Sequence, residues 1–168
     1  MNKLKKPNLD TESIDRIKWL KRGSISIFPH WLNEAEADDC KILSYSIAQS
    51  SGKLAEYLDG EQRLMHFYIS LSDHVWCYID ESWRFFLTNS SDFKTILKNS
   101  LRENNIKFFD LYFSNYVIRL QGGFDRTDTF FIANIEMFER FIQEVEKNDL
   151  YILDLQDIDE PDHYFKES

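Results

Sequence analysis

Glycine, proline and cysteine are all scarce in this chain. Five Gly and three Pro in 168 residues exclude a linker-rich or low-complexity protein. Two cysteines, Cys40 and Cys77, are too few for a disulfide framework, and two buried thiols in a reducing cytosol are the expectation. Long apolar runs are missing too. Nothing approaches the ~20 residues of a membrane span, and MNKLKKPNLD has a basic start with no apolar stretch behind it, unlike a secretory signal. Nucleotide and hydrolase signatures such as GxGxxG, GxxxxGK[ST] and GxSxG do not occur. A cytoplasmic protein built as one domain over residues 1–168 is expected.

Aromatic residues are abundant: fourteen Phe, eight Tyr and four Trp. Each buried ring removes roughly 150–250 Å² from water, so a chain of this length has ample core without staples. Charge is unevenly spread. Of the net −9, residues 1–22 contribute +4 from seven basic and three acidic side chains. Residues 144–168 contribute −7, from nine acidic and two basic. Residues 1–22 therefore read as a peripheral basic segment, with a short helix around Ile14, Ile17 and Leu20, and residues 156–168 as an acidic tail too polar to join the core. This balance disfavours nucleic-acid binding, because phosphates are repelled by most of the surface, and permits a basic protein partner.

Periodicity predicts an α+β fold: a mainly antiparallel sheet with about three helices packed on it. The helices are expected to begin near Asn33, Ser91 and Asn134. Asn33 with Glu36 makes a capping box, and Cys40, Leu43, Ile47, Leu54 and Leu58 share the face of the first helix, with Gly52 a break. Alternating, aromatic-rich runs predict strands at 24–28, 66–71, 74–79, 83–88, 106–113, 116–121, 129–133 and 150–155. Ser114-Asn115 is the strongest hairpin turn. Leu64, Phe67, Tyr68, Leu71 and Val75 also fit a helical stripe, so 64–79 has two readings, of which two strands is preferred.

Chemistry is sparse. His30, His66, His74 and His163 have no metal-ligand spacing and neither cysteine belongs to a CxxC, so no metal and no cofactor are expected. His74 and Cys77 suggest a thiol–imidazole dyad, but an offset of three on a strand points them to opposite faces. The loop Gly122-Gly123-Phe124-Asp125-Arg126-Thr127-Asp128 lacks the Lys of a phosphate loop and reads as a turn, or as a partner-contacting loop with Asp125, Arg126 and Asp128 exposed. Adjacent acids such as Asp80-Glu81 read as solvated surface. Acids Asp154, Asp157, Asp159 and Glu160, interleaved with Tyr151, Ile158, Tyr164 and Phe165 and preceded by Glu136, Glu139, Gln143, Glu144 and Glu146, combine steering charge with aromatic anchors.

In its small acidic make-up, its aromatic strands IKFFDLYF and DTFFIA, and its acidic end DLQDIDEPDH, the chain resembles the immunity proteins of bacterial contact-dependent growth inhibition and related polymorphic-toxin systems. The resemblance implies a cytoplasmic, non-catalytic protein that binds one cognate toxin domain, often a basic nuclease. The resemblance transfers no binding residue; the charge balance of 144–168 and the aromatics among its acids place the expected toxin-binding residues at Asp154, Asp157, Asp159 and Glu160. The rival readings are a small enzyme whose groups converge only in three dimensions, and an acidic regulatory or scaffold module.

Overall fold

The computed structural model describes residues 13–14, 16–104 and 108–158. Its elements run β1 (Lys21–Ser26), α1 (Glu34–Asp39), α2 (Tyr45–Ser50), α3 (Leu54–Ser70), β2 (His74–Ile79), β3 (Ser82–Leu87), α4 (Ser91–Leu101), β4 (Asp110–Phe113), β5 (Ile118–Gln121), β6 (Thr127–Ile132), a 3-10 turn (Ile135–Met137), α5 (Phe138–Lys147) and β7 (Tyr151–Asp157). The strands form one seven-stranded sheet ordered β3-β2-β4-β5-β6-β1-β7. Every pairing is antiparallel. The fold is therefore α+β with an antiparallel sheet, as the periodicity predicts. The first strand lies between the sixth and the last, so closure of the sheet waits for its two sequence-distant neighbours.

Local chemistry explains the turns. Asp80 and Glu81 both take positive φ, 49° and 59°, the two-residue hairpin turn whose twist matches its strands. It sets the register Ile79↔Ser82 through His74↔Leu87. A turn of four residues, Ser114 to Val117 with Val117 at φ 50°, closes β4 on β5 with Phe113 opposite Ile118, two residues longer than the expected Ser114-Asn115. Asn33 and Glu36 form both arms of the capping box, Ser90 caps α4, and Asn134 caps the 3-10 turn that leads into α5.

One face of the sheet carries the main core. Ile25, Val75, Leu111, Phe113, Ile118, Leu120, Phe130 and Ile132 pack there against Leu64, Phe67 and Tyr68 of α3, Phe93 and Leu97 of α4, and Phe141 and Val145 of α5. The rings meet edge-on or tilted: Phe67–Phe141 at 5.8 Å, Phe130–Phe141 at 5.0 Å and Tyr68–Phe109 at 5.0 Å. Such contacts add about 0.5–1.5 kcal/mol per pair beyond area burial. The opposite face holds a second apolar cluster of Trp76, Trp83, Tyr112 and Phe131, covered by Ile14 and Trp19.

Several expectations are corrected. Residues 66–71 are helical, not a strand: α3 runs through Ser70. Leu64, Phe67, Tyr68 and Leu71 are all buried on one helical stripe, and that burial overrides the β-preference of aromatic residues. Five α-helices, not three, stand among the described residues. The one expected from Asn33 is broken into α1, α2 and α3, the last break marked by Gly52 at φ 72°. Its supposed apolar face does not exist, since Ile47 and Leu58 are exposed. The 1–22 segment is not peripheral where it is described: Ile14 and Trp19 are buried, and Lys21 and Arg22 open β1. Within 156–168, Gln156 and Asp157 belong to β7 and Ile158 packs on the second cluster; residues 159–168 lie outside the described residues.

A polar frame ties the helices to the sheet. Glu61 of α3 is buried and takes two bonds from Arg102, at 2.5 and 2.7 Å. Arg126, expected on an exposed loop, is buried: its guanidinium donates to the Tyr57 carbonyl at 2.9 Å and stacks 4.0 Å over the Tyr57 ring. Asp128 is buried as well, accepting from the Tyr68 hydroxyl and from the Gly123 N–H at 3.0 Å. The 122–126 segment is a turn between β5 and β6 in which Asp125 is exposed as expected, while Arg126, and Asp128 at the start of β6, point inward because α3 offers them partners. Gly60 makes room for this. A Cβ there would stand 2.8 and 3.0 Å from the two terminal nitrogens of Arg126. Alanine is worth about 1 kcal/mol more than glycine inside a helix, yet Gly60→Ala is expected to destabilise the protein by about 1–2 kcal/mol through overpacking. Denaturant unfolding decides; a stabilised variant would show that Arg126 yields freely.

Candidate protein-docking surface

The acidic stretch singled out by charge lies at one edge of the sheet. β7 follows α5 after a short turn and, among the described residues, pairs with β1 alone, in the register Tyr151↔Ser26, Ile152↔Ile25 and Leu153↔Ser24. The register then slips: Gln156 faces Arg22, so Asp154 and Leu155 together stand opposite Gly23. Asp154 absorbs the bulge at φ 49°, a left-handed conformation that aspartate tolerates better than most residues. Bulges twist an edge and interrupt its pairing. Tyr151 and Leu155, 43% and 44% exposed, flank the exposed Asp154 along the strand, and the slip puts them on opposite faces of the sheet.

The expected quartet is thus brought together only in part. Asp154 and Asp157 share β7; Asp159 and Glu160 lie outside the described residues. The two aspartates also differ. Asp157 pairs with the Lys21 ammonium, which lies 5.6 Å over the Phe138 ring. Asp154 has no ion-pair partner among the described residues. Between them Gln156 accepts from Arg22 at 2.9 and 3.2 Å. On α5, Glu139 and Glu146 are exposed, while Glu144 is half-buried and lies 3.6 Å from Lys147. The edge is acidic and carries two exposed apolar side chains, Tyr151 on the face of Gln156 and Leu155 on the face of Asp157.

Elsewhere, the side chains of the suspected dyad are tied down, while His66 stands exposed on α3. β2 puts His74 and Cys77 on opposite faces, which removes the dyad, and burial pushes the Cys77 thiol far up. His74 instead joins a relay that sequence spacing does not reveal: its Nδ1 is 2.6 Å from Asp73 and its Nε2 3.5 Å from the Ser114 hydroxyl. The order is that of a nucleophilic triad. However, the serine contact is at the limit of a hydrogen bond, the Asp73 side chain is 67% exposed, and a turn in open solvent does not exclude water from a reacting centre. The imidazole holds the Asp73 carboxyl below its usual range, as expected of a capped strand end.

A cleft of about 630 Å³ opens where β2 and β4 diverge after only two paired positions. Cys77, Ile79, Asn99, Phe108 and Asp110 line it. Asp110 is engaged there by Arg119 at 2.8 and 2.6 Å and by Gln121 at 3.1 Å, so three donors already hold its carboxylate. Among the described residues no histidine lines the cleft. Among the described residues no three His, Cys, Asp or Glu converge as a metal site, and no helix is long and apolar enough to cross a membrane.

Compared with known proteins, the chain matches no family model, no curated protein and no solved structure.

Proposed function

We propose that this chain is an immunity-type inhibitor, a non-catalytic protein that neutralises a basic toxin domain in the cytoplasm by stoichiometric binding. The observation behind this reading is the β7 edge, where Tyr151 and Leu155 stand exposed and Asp154 has no ion-pair partner among the described residues. Aromatic and aliphatic anchors supply contact area, while the surrounding acids steer a basic partner and raise the association rate. The net charge of −9 acts in the same direction. A basic nuclease cleft is a fitting target, because carboxylates there imitate the phosphate charge.

The test is co-expression with a toxin domain encoded beside this chain, followed by isolation of a 1:1 complex. Protection together with a complex at micromolar concentration is the expected result; unprotected cells or no complex overturn the reading. If charge steers binding, raising salt slows association much more than it speeds dissociation. Replacing Asp154, Asp157, Asp159 and Glu160 together by Asn or Gln is expected to slow association about tenfold or more at low salt and to leave the unfolding midpoint unchanged. Protection with an unaltered association rate would place the binding surface elsewhere.

A further inference from the structure

The two edges of the sheet are built differently. β7 is blunted by its bulge and its acids, the usual devices against edge-to-edge pairing. β3, at the other end, is regular over Ser82–Leu87, contains no proline, and has Arg84 as its only charge. Its hydrogen-bond phase follows from the Thr88 N–H, which donates to the Asp73 carbonyl at 3.1 Å. Antiparallel pairs alternate between bonded and non-bonded. Positions 82, 84 and 86 therefore bond to β2, while Trp83, Phe85 and Leu87 turn their backbone groups outward. Among the described residues nothing bonds the N–H of these three, or the carbonyls of Trp83 and Phe85. Leu87 accepts at its carbonyl from Ser90 at 3.0 Å and keeps a second lone pair.

We propose that β3 pairs with β3 of a second copy of this chain, antiparallel about a two-fold axis through Phe85, joining the two sheets edge to edge. The register is restricted by two independent requirements. A two-fold normal to the sheet keeps each face continuous, so residues facing each other across the axis must have the same parity. The outward groups of Trp83, Phe85 and Leu87 must also meet one another. Centring on Arg84 bonds Trp83 to Phe85 but leaves Leu87 without an outward strand partner and brings two guanidinium groups together in a close, non-bonded pair; centring on Phe86 leaves Trp83 without one. Centring on Phe85 alone pairs all three. Phe85 then exchanges two bonds with Phe85 of the second copy, and Trp83 lies opposite Leu87 in a bonded pair on each side. Arg84 falls opposite Phe86, where a cation over an aromatic ring is favourable. The acidic turn at Asp80-Glu81 runs beside Asn89 and Ser90, so no like charges meet.

The second copy is favoured over a head-to-tail β3–β7 contact because the bulge at Asp154 spoils the latter and because a two-fold contact closes, whereas a head-to-tail one propagates. A single strand pair buries less than the ~1,600 Å² of a standard interface, so the dimer is weak and is expected to populate at about 100 µM.

The experiment is sedimentation equilibrium from about 5 to 500 µM, with amide hydrogen exchange at both ends of that range. The expected result is a dimer at high concentration, with the Trp83, Phe85 and Leu87 amides slowing at least tenfold as it forms. Leu87→Glu, at a position already 38% exposed, is expected to remain monomeric with an unchanged unfolding midpoint. A monomer throughout, a dimer that protects β7 amides instead, or a dimer unaffected by Leu87→Glu overturns the proposal. If that variant fails to fold, the exchange pattern of the unaltered chain decides alone.

Discussion

Replacing Arg102 by Met is expected to lower stability by about 3–5 kcal/mol at pH 7, which makes it one of the most damaging single changes available outside the apolar core. Arg102 follows the last turn of α4 and grips Glu61 of α3 with two bonds, at 2.5 and 2.7 Å. Its guanidinium also lies 4.5 Å over the Tyr45 ring of α2. One side chain thus joins three helices. The Glu61 side chain is only 7% exposed and that of Arg102 17%. Removing the arginine leaves a carboxylate in a site from which water is largely excluded, and this desolvation is the main cost. The reverse change, Glu61→Gln, is expected to cost less, because the amide still accepts one bond and Arg102 is nearer to water. The double variant Glu61→Leu/Arg102→Met is expected to recover most of the loss, since a buried pair is worth little against apolar residues of similar volume. Urea unfolding of the three variants measures the coupling. If Arg102→Met costs less than about 1 kcal/mol, the pair behaves as a solvated surface bridge.

Asp128 is expected to make stability depend on pH in the opposite sense to an ordinary ion-paired carboxylate. It sits at the start of β6 with Tyr68 and Gly123 as donors, and burial pushes its carboxyl from 3.8 up to about 6 despite both bonds. The folded state thus holds the proton more tightly than the unfolded chain. The associated stability is fully present below about pH 4 and is lost as pH rises through about 6. Two pH units at about 1.4 kcal/mol each amount to on the order of 3 kcal/mol. Asp128→Asn removes this titration and leaves every other carboxylate in place. The difference between the original chain and the variant is therefore expected to favour the original most near pH 4 and to shrink by that amount by pH 7. A difference that stays flat from pH 4 to 7 would mean that Asp128 titrates as it does in the unfolded chain.

The parts of the fold legible in the sequence share a property: their signals are local. Asn33 with Glu36, Ser114-Asn115 and Asn134 announce elements through bonds made within a few residues; the capping box lies where it was expected, the turn is two residues longer, and Asn134 caps a 3-10 turn ahead of the helix. The alternation of 74–79, 83–88 and 116–121 also placed strands to within a residue or two, because a strand half-covered by helices keeps its period. The failures have one cause as well. HFYISL satisfies a strand and a helix equally, and only the chance to bury Phe67 and Tyr68 against Phe141, Phe109 and Asp128 settles it as helix. Arg126 and Asp128 look like the charges of a surface loop until α3 brings Tyr57, Gly60 and Tyr68 to meet them. The relay from Asp73 through His74 to Ser114 joins positions forty residues apart, which no spacing rule detects.

By itself the sequence determined the class of the molecule: an acidic, aromatic-rich α+β chain with an antiparallel sheet and without a recognisable catalytic motif. Composition and period carry that information, and both survive any rearrangement of the elements. The tertiary structure alone decided the order of the strands, and with it which ones became edges. That order depends on β1 reaching across the chain to β6 and β7, contacts whose free energy is gained only once distant segments have met. The edge position exposes Tyr151, Leu155 and Asp154 on one side and the outward amides of Trp83, Phe85 and Leu87 on the other, because a strand with one neighbour leaves half its backbone bonds to be made elsewhere.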